Sequence, residues 1–243
     1  MSVWSPCQPR VGGGLMELPR GRSLASRMDL TLLRADATLR EIEELCRRGV
    51  ELGFAAVCVN PYWVRLASKL LRGSGVKVCC VVGFPLGATL SEVKVLEASR
   101  AVEEGASEVD VALNLGALKS RGYSYVEEEA KRVVEAVKRR GGEVVKAIIE
   151  VPLLTEEEVE EACRIAMEAG MDFVKTGTGM LTRGVTVEDV RLLRRFVGTC
   201  LKVKASGGVR TYRQAVELLE AGASRIGSSS GYEIVLEGMR ASY

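Results

Sequence analysis

Eight short apolar runs, most of them rich in β-branched residues, alternate along the chain with charged segments. The runs are Met28–Leu33, Ala55–Asn60, Lys77–Val82, Glu108–Leu113, Val144–Glu150, Asp172–Thr176, Leu201–Ser206 and Ser224–Gly227. Their mean spacing is about 28 residues, which fits one strand, one helix and two short loops. The pattern predicts eight βα units in a single-domain (β/α)8 TIM barrel. An open doubly wound sheet is the alternative.

Helix-start signals lie between the runs. The capping-box pattern, a hydroxyl residue followed three positions later by an acid, occurs at Thr38, Ser124 and Thr155. No composition shift or long linker marks a second domain, so residues 23–243 are assigned to the barrel. Residues 1–22 contain three Pro and four Gly and are predicted to form a loose, poorly ordered N-terminal extension.

Charge and hydropathy exclude several classes of protein. There are 34 Lys and Arg against 32 Asp and Glu, so no broad basic field indicates a nucleic-acid partner. The longest uncharged, largely apolar run, Val78–Ser91, is interrupted by a Gly-Phe-Pro turn and is too short to span a bilayer. The first 27 residues lack the apolar region of a signal peptide, so we expect a cytoplasmic protein without a membrane partner.

The chain has no histidine, which removes His-based acid–base catalysis and every His-ligated metal site. Its seven cysteines form no C-x-x-C pair, so a four-cysteine zinc site is disfavoured and buried thiols are expected. We therefore predict no metal centre.

Charged residues interrupt four of the apolar runs where a packed core is expected. Asp110 lies between valines in the fourth run, and Lys146, Lys175 and Lys204 lie in the fifth, sixth and seventh. Buried ions are costly unless they are paired, and barrel enzymes place catalytic groups at the C-terminal ends of their strands. One such lysine would most simply be a salt-bridged strand end facing solvent or the helices. Three lysines and an aspartate at matching depths favour a catalytic cluster.

A lysine attacks a carbonyl only as a neutral amine, and the pKa of a free lysine is about 10.4. A second ammonium about 6 Å away, at an effective dielectric of about 20, repels it by roughly 2.8 kcal/mol, and burial acts in the same direction. Such crowding makes one amine a nucleophile near neutral pH. The carboxylate of Asp110 would then accept and donate protons.

Three segments near the later runs are rich in glycine and hydroxyl residues: Thr176–Gly179, Ser206–Val209 and Gly227–Gly231. The last two follow the seventh and eighth runs, where barrels commonly bind phosphate through backbone N–H groups. Ordinary βα turns are the simpler interpretation of either segment alone. No P-loop sequence occurs and no G-x-G-x-x-G follows the first run, which disfavours nucleotide folds.

Seven stretches in the same order resemble the deoxyribose-phosphate aldolase family, which are class I, Schiff-base-forming aldolases. They are Met28–Leu33, Ala56–Pro61, Val82–Gly87, Glu108–Val111, Val145–Glu150, Phe173–Gly179 and Lys204–Arg210. The resemblance runs from about Leu24 to Gly231. It implies a TIM barrel that reversibly cleaves 2-deoxy-D-ribose 5-phosphate to D-glyceraldehyde 3-phosphate and acetaldehyde, without cofactor or metal.

The resemblance also implies roles for individual residues. Lys175 matches the Schiff-base lysine, Lys204 the second lysine that perturbs it, and Asp110 the proton-relay aspartate. The expected substrate- and phosphate-binding residues are Thr178, Gly179, Gly207, Gly208, Ser229 and Ser230. The expected supporting residues are Asp29, Cys58, Asn60 and Lys146.

Two positions qualify the resemblance. Gly177 stands where the family more often has serine, and Tyr243 matches a terminal tyrosine that some members fold over the site. The expected partner is a small sugar phosphate, and by analogy with other barrels the protein is expected to be a homo-oligomer, either a dimer or a tetramer. The alternatives are another Schiff-base aldolase of sugar phosphates with a different donor, and a sugar-phosphate-binding barrel without turnover.

Overall fold

Eight parallel strands close into a barrel in the computed structural model, which describes residues 19–241. The strands are β1 Met28–Leu32, β2 Ala56–Val59, β3 Lys77–Val82, β4 Glu108–Ala112, β5 Val144–Ile148, β6 Phe173–Lys175, β7 Lys202–Ser206 and β8 Arg225–Ser228. Each strand pairs with the next in sequence, and β1 also pairs with β8. The closed order confirms the predicted TIM barrel and rules out the open doubly wound sheet.

Helices surround the barrel and connect its strands. They are α1 Gly21–Ala25, α2 Leu39–Leu52, α3 Val64–Leu70, α4 Ser91–Glu103, α5 Leu115–Lys119, α6 Tyr123–Arg139, α7 Glu156–Glu168, α8 Val187–Val197, α9 Tyr212–Glu220 and α10 Gly231–Arg240. Two short 3₁₀ turns, Pro61–Trp63 and Val151–Leu153, follow β2 and β5. Within residues 19–241, none of the helices has the length and apolarity that crossing a membrane requires.

Two of the three predicted capping boxes are confirmed. The hydroxyl groups of Thr38 and Thr155 accept hydrogen bonds from the third residue of α2 and of α7. The prediction at Ser124 is wrong, because α6 already begins at Tyr123 behind Gly122. The Gly122 N–H donates to the Ala117 carbonyl at 2.8 Å, so the turn that ends α5 leads directly into α6.

Successive side chains of each strand point to opposite faces, one toward the helices and one toward the barrel axis. Val109, Val145 and Val203 are fully buried in the apolar layer between the strands and the helices. Their neighbours Asp110, Lys146 and Lys204 have the opposite orientation, into the barrel, where they contact one another. The interruptions in the apolar runs are therefore the positions that face the barrel axis.

The described chain begins inside the predicted extension. Gly21 and Arg22 belong to α1, and the last two residues of that helix, Leu24 and Ala25, are fully buried in the core. Residues 1–18 and 242–243 lie outside the described residues, so the proposed extension and the role of Tyr243 stay predictions.

Candidate active site

A cavity of about 730 Å³ opens at the C-terminal end of the barrel. Seven of the predicted site residues line it: Lys175, Thr178, Gly179, Lys204, Gly207, Gly208 and Ser229. Of the other predicted residues, Asp29, Cys58, Asp110 and Lys146 lie fully buried in the barrel interior, and Asn60 and Ser230 lie beside the cavity without lining it.

Asp110 on β4 connects the three predicted lysines. Its Oδ2 lies 2.9 Å from Lys175 Nζ and 2.7 Å from Lys204 Nζ, and its Oδ1 lies 2.8 Å from Lys146 Nζ. The strand register explains the meeting, because Asp110 pairs with Lys146 across β4 and β5, and Lys175 pairs with Lys204 across β6 and β7. The alternative in which these charges face solvent or the helices is wrong.

Two further residues complete this buried charge cluster, and the sequence analysis did not select them. Glu108 Oε2 lies 2.6 Å from Lys146 Nζ, and the Arg225 guanidinium lies 2.5 Å from Asp29 Oδ1. Asp29 Oδ2 is also 2.5 Å from Lys204 Nζ. A signal was available for both, since Glu108 precedes Asp110 by one strand period and Arg225 is a charge within the eighth apolar run.

The cluster holds four cationic side chains, Lys146, Lys175, Lys204 and Arg225, against three carboxylates, Asp29, Glu108 and Asp110. All are almost completely buried except Arg225, whose side chain is 16% exposed. Lys204 contacts two carboxylates and Lys146 contacts Glu108 and Asp110 closely, whereas Lys175 contacts Asp110 alone. Of the three lysines, Lys175 therefore has the fewest carboxylate contacts.

Burial and ion pairing oppose each other in setting the charges of this cluster. Burial raises the pKa of Asp110, but the Lys146, Lys175 and Lys204 ammonium groups outweigh it and hold that pKa well below its usual range. The same balance, with Lys204, Lys146 and Arg225, lowers the pKa of Asp29 to about 2. For Lys204 and Lys146, burial lowers the pKa, and the surrounding carboxylates reverse the shift and raise it. Lys204 and Lys146 are thus held as ammonium ions beside Lys175.

Cys58 and Cys79 are buried thiols below the cavity, directly paired across β2 and β3. Cys79 Sγ lies 3.1 Å from Asp110 Oδ1, and the hydrogen bond between the two thiols lowers the pKa of Cys58. Both sulfur atoms form a close group with Asp110, and Cys79 Sγ forms a second close group with Asp29 and Glu108. However, the Lys146 ammonium lies within 3.4 Å of Cys79 Sγ and contacts both Asp110 and Glu108. The Lys146 ammonium already provides the positive charge that a metal ion would bring to these carboxylates and thiols, so these groups do not fit a metal ion.

Asn60 and Thr178 hold the loops at the rim. Asn60 Nδ2 donates to the Leu33 carbonyl at 3.1 Å and so joins the ends of β2 and β1. The N–H of Thr178 donates to Glu150 Oε2 at 2.7 Å, and its hydroxyl accepts from the Met180 N–H. The Asn60 amide is thus engaged with the backbone, whereas Thr178 faces the cavity.

One wall of the cavity, the N–H wall, is formed by four residues whose backbone N–H groups are unengaged within residues 19–241. Within the described chain, the N–H groups of Gly179, Gly207, Gly208 and Ser229 have no hydrogen-bond acceptor. All three glycines have positive φ, and a Cβ on Gly179 would lie 2.9 Å from Gly207 Cα. The loops after β6 and β7 meet this closely because neither Gly179 nor Gly207 carries a side chain. Unengaged N–H donors on a concave surface form an anion-binding site.

Ser229 and Ser230, the two predicted serines that follow β8, have different surroundings. Ser228 Oγ donates to the Val209 carbonyl at 2.6 Å and accepts from the Ser230 N–H at 3.0 Å. Ser230 is thus turned into the start of α10, while the exposed Ser229 lines the cavity. Of the two predicted serines, only Ser229 faces the space where an anion would lie.

Comparisons with known proteins support the family resemblance. The model of the DeoC/LacD family of aldolases matches residues 24–237. The chain belongs to this family. The deoxyribose-phosphate aldolase of Thermococcus kodakarensis is 55% identical over 216 residues, covering 88% of this chain and 96% of the relative. That of Carboxydothermus hydrogenoformans is 54% identical, covering 87% of this chain and 93% of the relative.

A solved structure agrees with the sequence relatives. The deoxyribose phosphate aldolase of Aeropyrum pernix, described as a unique tetramer, superposes with a TM-score of 0.85 at 37% identity. The match covers 90% of this chain and 92% of that one. The protein is therefore an enzyme of the deoxyribose-phosphate aldolase family, a carbon–carbon lyase built on a TIM barrel, as the sequence predicts.

Proposed function

We propose that the protein reversibly cleaves 2-deoxy-D-ribose 5-phosphate to D-glyceraldehyde 3-phosphate and acetaldehyde through a Schiff base on Lys175. One observation carries the proposal: Lys175 and Lys204 contact the same oxygen of Asp110 at the floor of a cavity walled by free N–H donors. The amines supply the nucleophile and the wall supplies the phosphate site. The family relationship supplies the substrate class.

The charge balance favours Lys175 as the nucleophile. The buried cluster has one more cation than it has carboxylates, so the loss of one proton makes it neutral. Lys175 has a single carboxylate contact, whereas Lys204 has two. Lys175 also lines the cavity, where a substrate carbonyl can approach. Lys204 remains an ammonium ion and discourages reprotonation of its neighbour.

The bond changes then follow the chemistry of an imine. The neutral Nζ of Lys175 attacks C1 of the open-chain aldehyde, and loss of water from the carbinolamine gives the iminium. Removal of the C3 hydroxyl proton lets the C2–C3 bond break, and its electron pair moves toward the iminium to give an enamine. Protonation of the enamine at C2, followed by hydrolysis, releases acetaldehyde and restores the amine.

Asp110 is placed to move protons in these steps. Its carboxylate is held in the anionic form and lies 2.9 Å from Lys175 Nζ. It can accept the proton from the attacking amine, and the adjacent Lys204 ammonium stabilises the resulting charges. The fully buried position excludes competing water from this exchange.

The substrate phosphate would bind the N–H wall. Gly179, Gly207, Gly208 and Ser229 present unengaged donors that a phosphate dianion can accept. We further propose that the protein works in the cytoplasm, as a homo-oligomer, on a small-molecule sugar phosphate.

Trapping the imine tests the proposal. The purified protein is treated with borohydride and acetaldehyde, and the adduct is located by peptide mass spectrometry. We expect reduction onto Lys175 and none in Lys175→Met. Lys202→Met is the matched control, because Lys202 is an exposed lysine on the adjacent β7 strand. An adduct elsewhere, or none, would reject the assignment.

A substrate panel then separates this reaction from its alternatives. Faster turnover with dihydroxyacetone phosphate or pyruvate as donor than with acetaldehyde would indicate a Schiff-base aldolase of different specificity. Binding of deoxyribose 5-phosphate without an adduct, and unchanged by Lys175→Met, would indicate a barrel that binds sugar phosphates without turnover.

A further inference from the structure

Glu150 is a buried carboxylate that the chemistry above does not use. It lies two residues after the end of β5, and it is only 3% exposed. No lysine or arginine within residues 19–241 forms a salt bridge with it. A buried carboxylate without a cationic partner is unfavourable, so it requires neutral donors in its place.

Those donors come from the loop that follows the nucleophile. Glu150 Oε2 accepts from the Thr178 N–H at 2.7 Å, and Oε1 accepts from the Thr182 hydroxyl at 2.8 Å. Hydrogen bonds to a carboxylate are shorter and stronger than those between neutral groups. The two carboxylate oxygens thus hold the loop between Lys175 and α8 at two points. These are Thr178 and Thr182, three and seven residues after Lys175.

The backbone at Glu150 is strained to allow this contact. Its φ of 53° lies in the left-handed region, which among the non-glycine residues of the described chain only Arg121 shares. A glycine would adopt this conformation freely, yet the position carries a carboxylate. Backbone strain that is retained in a buried residue indicates that its side chain has a specific task.

Gly177 provides the room for the same contact. A Cβ at Gly177 would lie 3.0 Å from Glu150 Oε1, so a side chain there would press on the carboxylate. On its other side, the Gly177 carbonyl accepts from Ser206 Oγ at 2.7 Å. The loop is therefore held from β5 through Glu150 and from β7 through Ser206.

The held loop forms part of the anion-binding wall. Gly179 follows Thr178 directly and packs its backbone against Gly207, so the position of one loop sets the position of the other. Since the Thr178 N–H is engaged by Glu150, the next N–H, that of Gly179, is the one left for a ligand.

We propose that Glu150 is a positioning residue for the substrate phosphate: its two hydrogen bonds fix the Thr178–Gly179 peptide in the orientation that presents the Gly179 N–H to the cavity. The inference rests on the proposed function, because it takes the phosphate of the substrate as the ligand. It assigns phosphate recognition partly to a residue that never touches the phosphate.

Substitutions at Glu150 test this proposal. Glu150→Met keeps the length of the side chain but removes both acceptors, whereas Glu150→Gln keeps one acceptor and can donate to the Thr182 hydroxyl. We expect Glu150→Met to raise KM for deoxyribose 5-phosphate, and the inhibition constant of inorganic phosphate, on the order of tenfold. We expect smaller changes in kcat and in kcat/KM for unphosphorylated deoxyribose. Glu150→Gln should restore most of the loss.

Glu129→Met is the matched control. Glu129 is also a buried carboxylate, but it pairs with Lys94 between α4 and α6, away from the cavity. We expect it to lower stability without changing the preference for the phosphorylated substrate. Equal losses on both substrates in Glu150→Met, or the same pattern in Glu129→Met, would overturn the proposal.

Thr182 keeps the test decisive if Glu150→Met does not fold. Thr182→Val removes one donor from a half-buried residue, and Thr182→Ser retains it. We expect a smaller, phosphate-specific rise in KM for Val and none for Ser, and equal behaviour of the two would count against the proposal. Borohydride trapping of wild-type protein with acetaldehyde does not involve phosphate, so failure there would reject the proposed function and not this inference alone.

Discussion

Lys175 and Lys204 share one oxygen atom of a buried carboxylate, with their ammonium nitrogens 2.9 and 2.7 Å from Asp110 Oδ2. Two ammonium groups on one oxygen repel each other, and burial strengthens that repulsion. The second contact of Lys204, to Asp29, fixes its charge, whereas Lys175 has no second carboxylate. In the proposed mechanism, this asymmetry of carboxylate contacts is the reason for assigning the nucleophile to Lys175.

Replacing Lys204 with leucine should therefore move the pH dependence of the reaction. Without the second ammonium, neutral Lys175 becomes rarer near pH 7, and we expect kcat/KM to fall about 100-fold and its profile to move to higher pH. The measurement is kcat/KM against pH, with the exposed Lys202→Met as control. A profile that keeps its position would show that burial alone activates the nucleophile.

Gly179→Ala should impair phosphate recognition specifically. The new Cβ would lie 2.9 Å from Gly207 Cα and would push the two loops apart. We expect kcat/KM for deoxyribose 5-phosphate to fall at least about tenfold, and much less for unphosphorylated deoxyribose. Gly170→Ala is a matched control, because Gly170 has nearly the same φ, 75° against 74°, and nothing within 4 Å of the added Cβ. If both variants lose activity equally on both substrates, backbone strain is the cause.

Arg225→Met should destabilise the fold, because it removes a cation from the buried charge cluster. Arg225 contacts Asp29 at 2.5 Å and Glu108 at 3.6 Å, and its removal leaves the buried Asp29 Oδ1 without its cationic partner. We expect a loss of about 3–5 kcal/mol in the free energy of unfolding in urea. Arg191→Met is the control, since its 68% exposed side chain meets Glu188 only at 3.9 Å, and we expect a change within about 0.5 kcal/mol. Similar losses in the two variants would contradict a buried network.

Acid should weaken the protein partly through Asp29. Its pKa is lowered from 3.8 to about 2, so its contribution to stability is complete above about pH 4 and is lost as the pH falls through about 2. The shift corresponds to about 2 kcal/mol. We expect the unfolding free energy of Asp29→Asn to be lower at neutral pH and to fall less steeply between about pH 4 and about pH 2. Parallel curves for the variant and the wild type would show that other carboxylates dominate the acid transition.

The apolar runs predicted each strand because a parallel strand buried on both faces must be apolar, so charges such as Asp110 and Lys146 stood out. Arg225 and Glu108 carried the same signal at weaker contrast, near the edges of their runs. Ser124 shows the limit of local patterns, since the preceding turn at Gly122 starts α6 earlier than its capping sequence predicts.

Glu150 and the free N–H groups lay beyond sequence reasoning. Which backbone donors remain unengaged depends on contacts between loops distant in the chain, such as Thr178 with Glu150 and Val185 with Gly207. The second carboxylate contact of Lys204 comes likewise from Asp29, which is 175 residues away in the chain. No local pattern contains these distances.

By itself, the sequence determined the eight βα units and the family, because periodicity and motif order are properties of the linear chain. It also singled out Asp110, Lys175 and Lys204 as charges within apolar runs. Tertiary structure decided which lysine is held by two carboxylates, which N–H groups face the cavity and why Glu150 tolerates a strained backbone. The physical reason is that hydrogen bonds and Coulomb interactions act over a few ångströms in space. Only closure of the barrel brings their partners within that range.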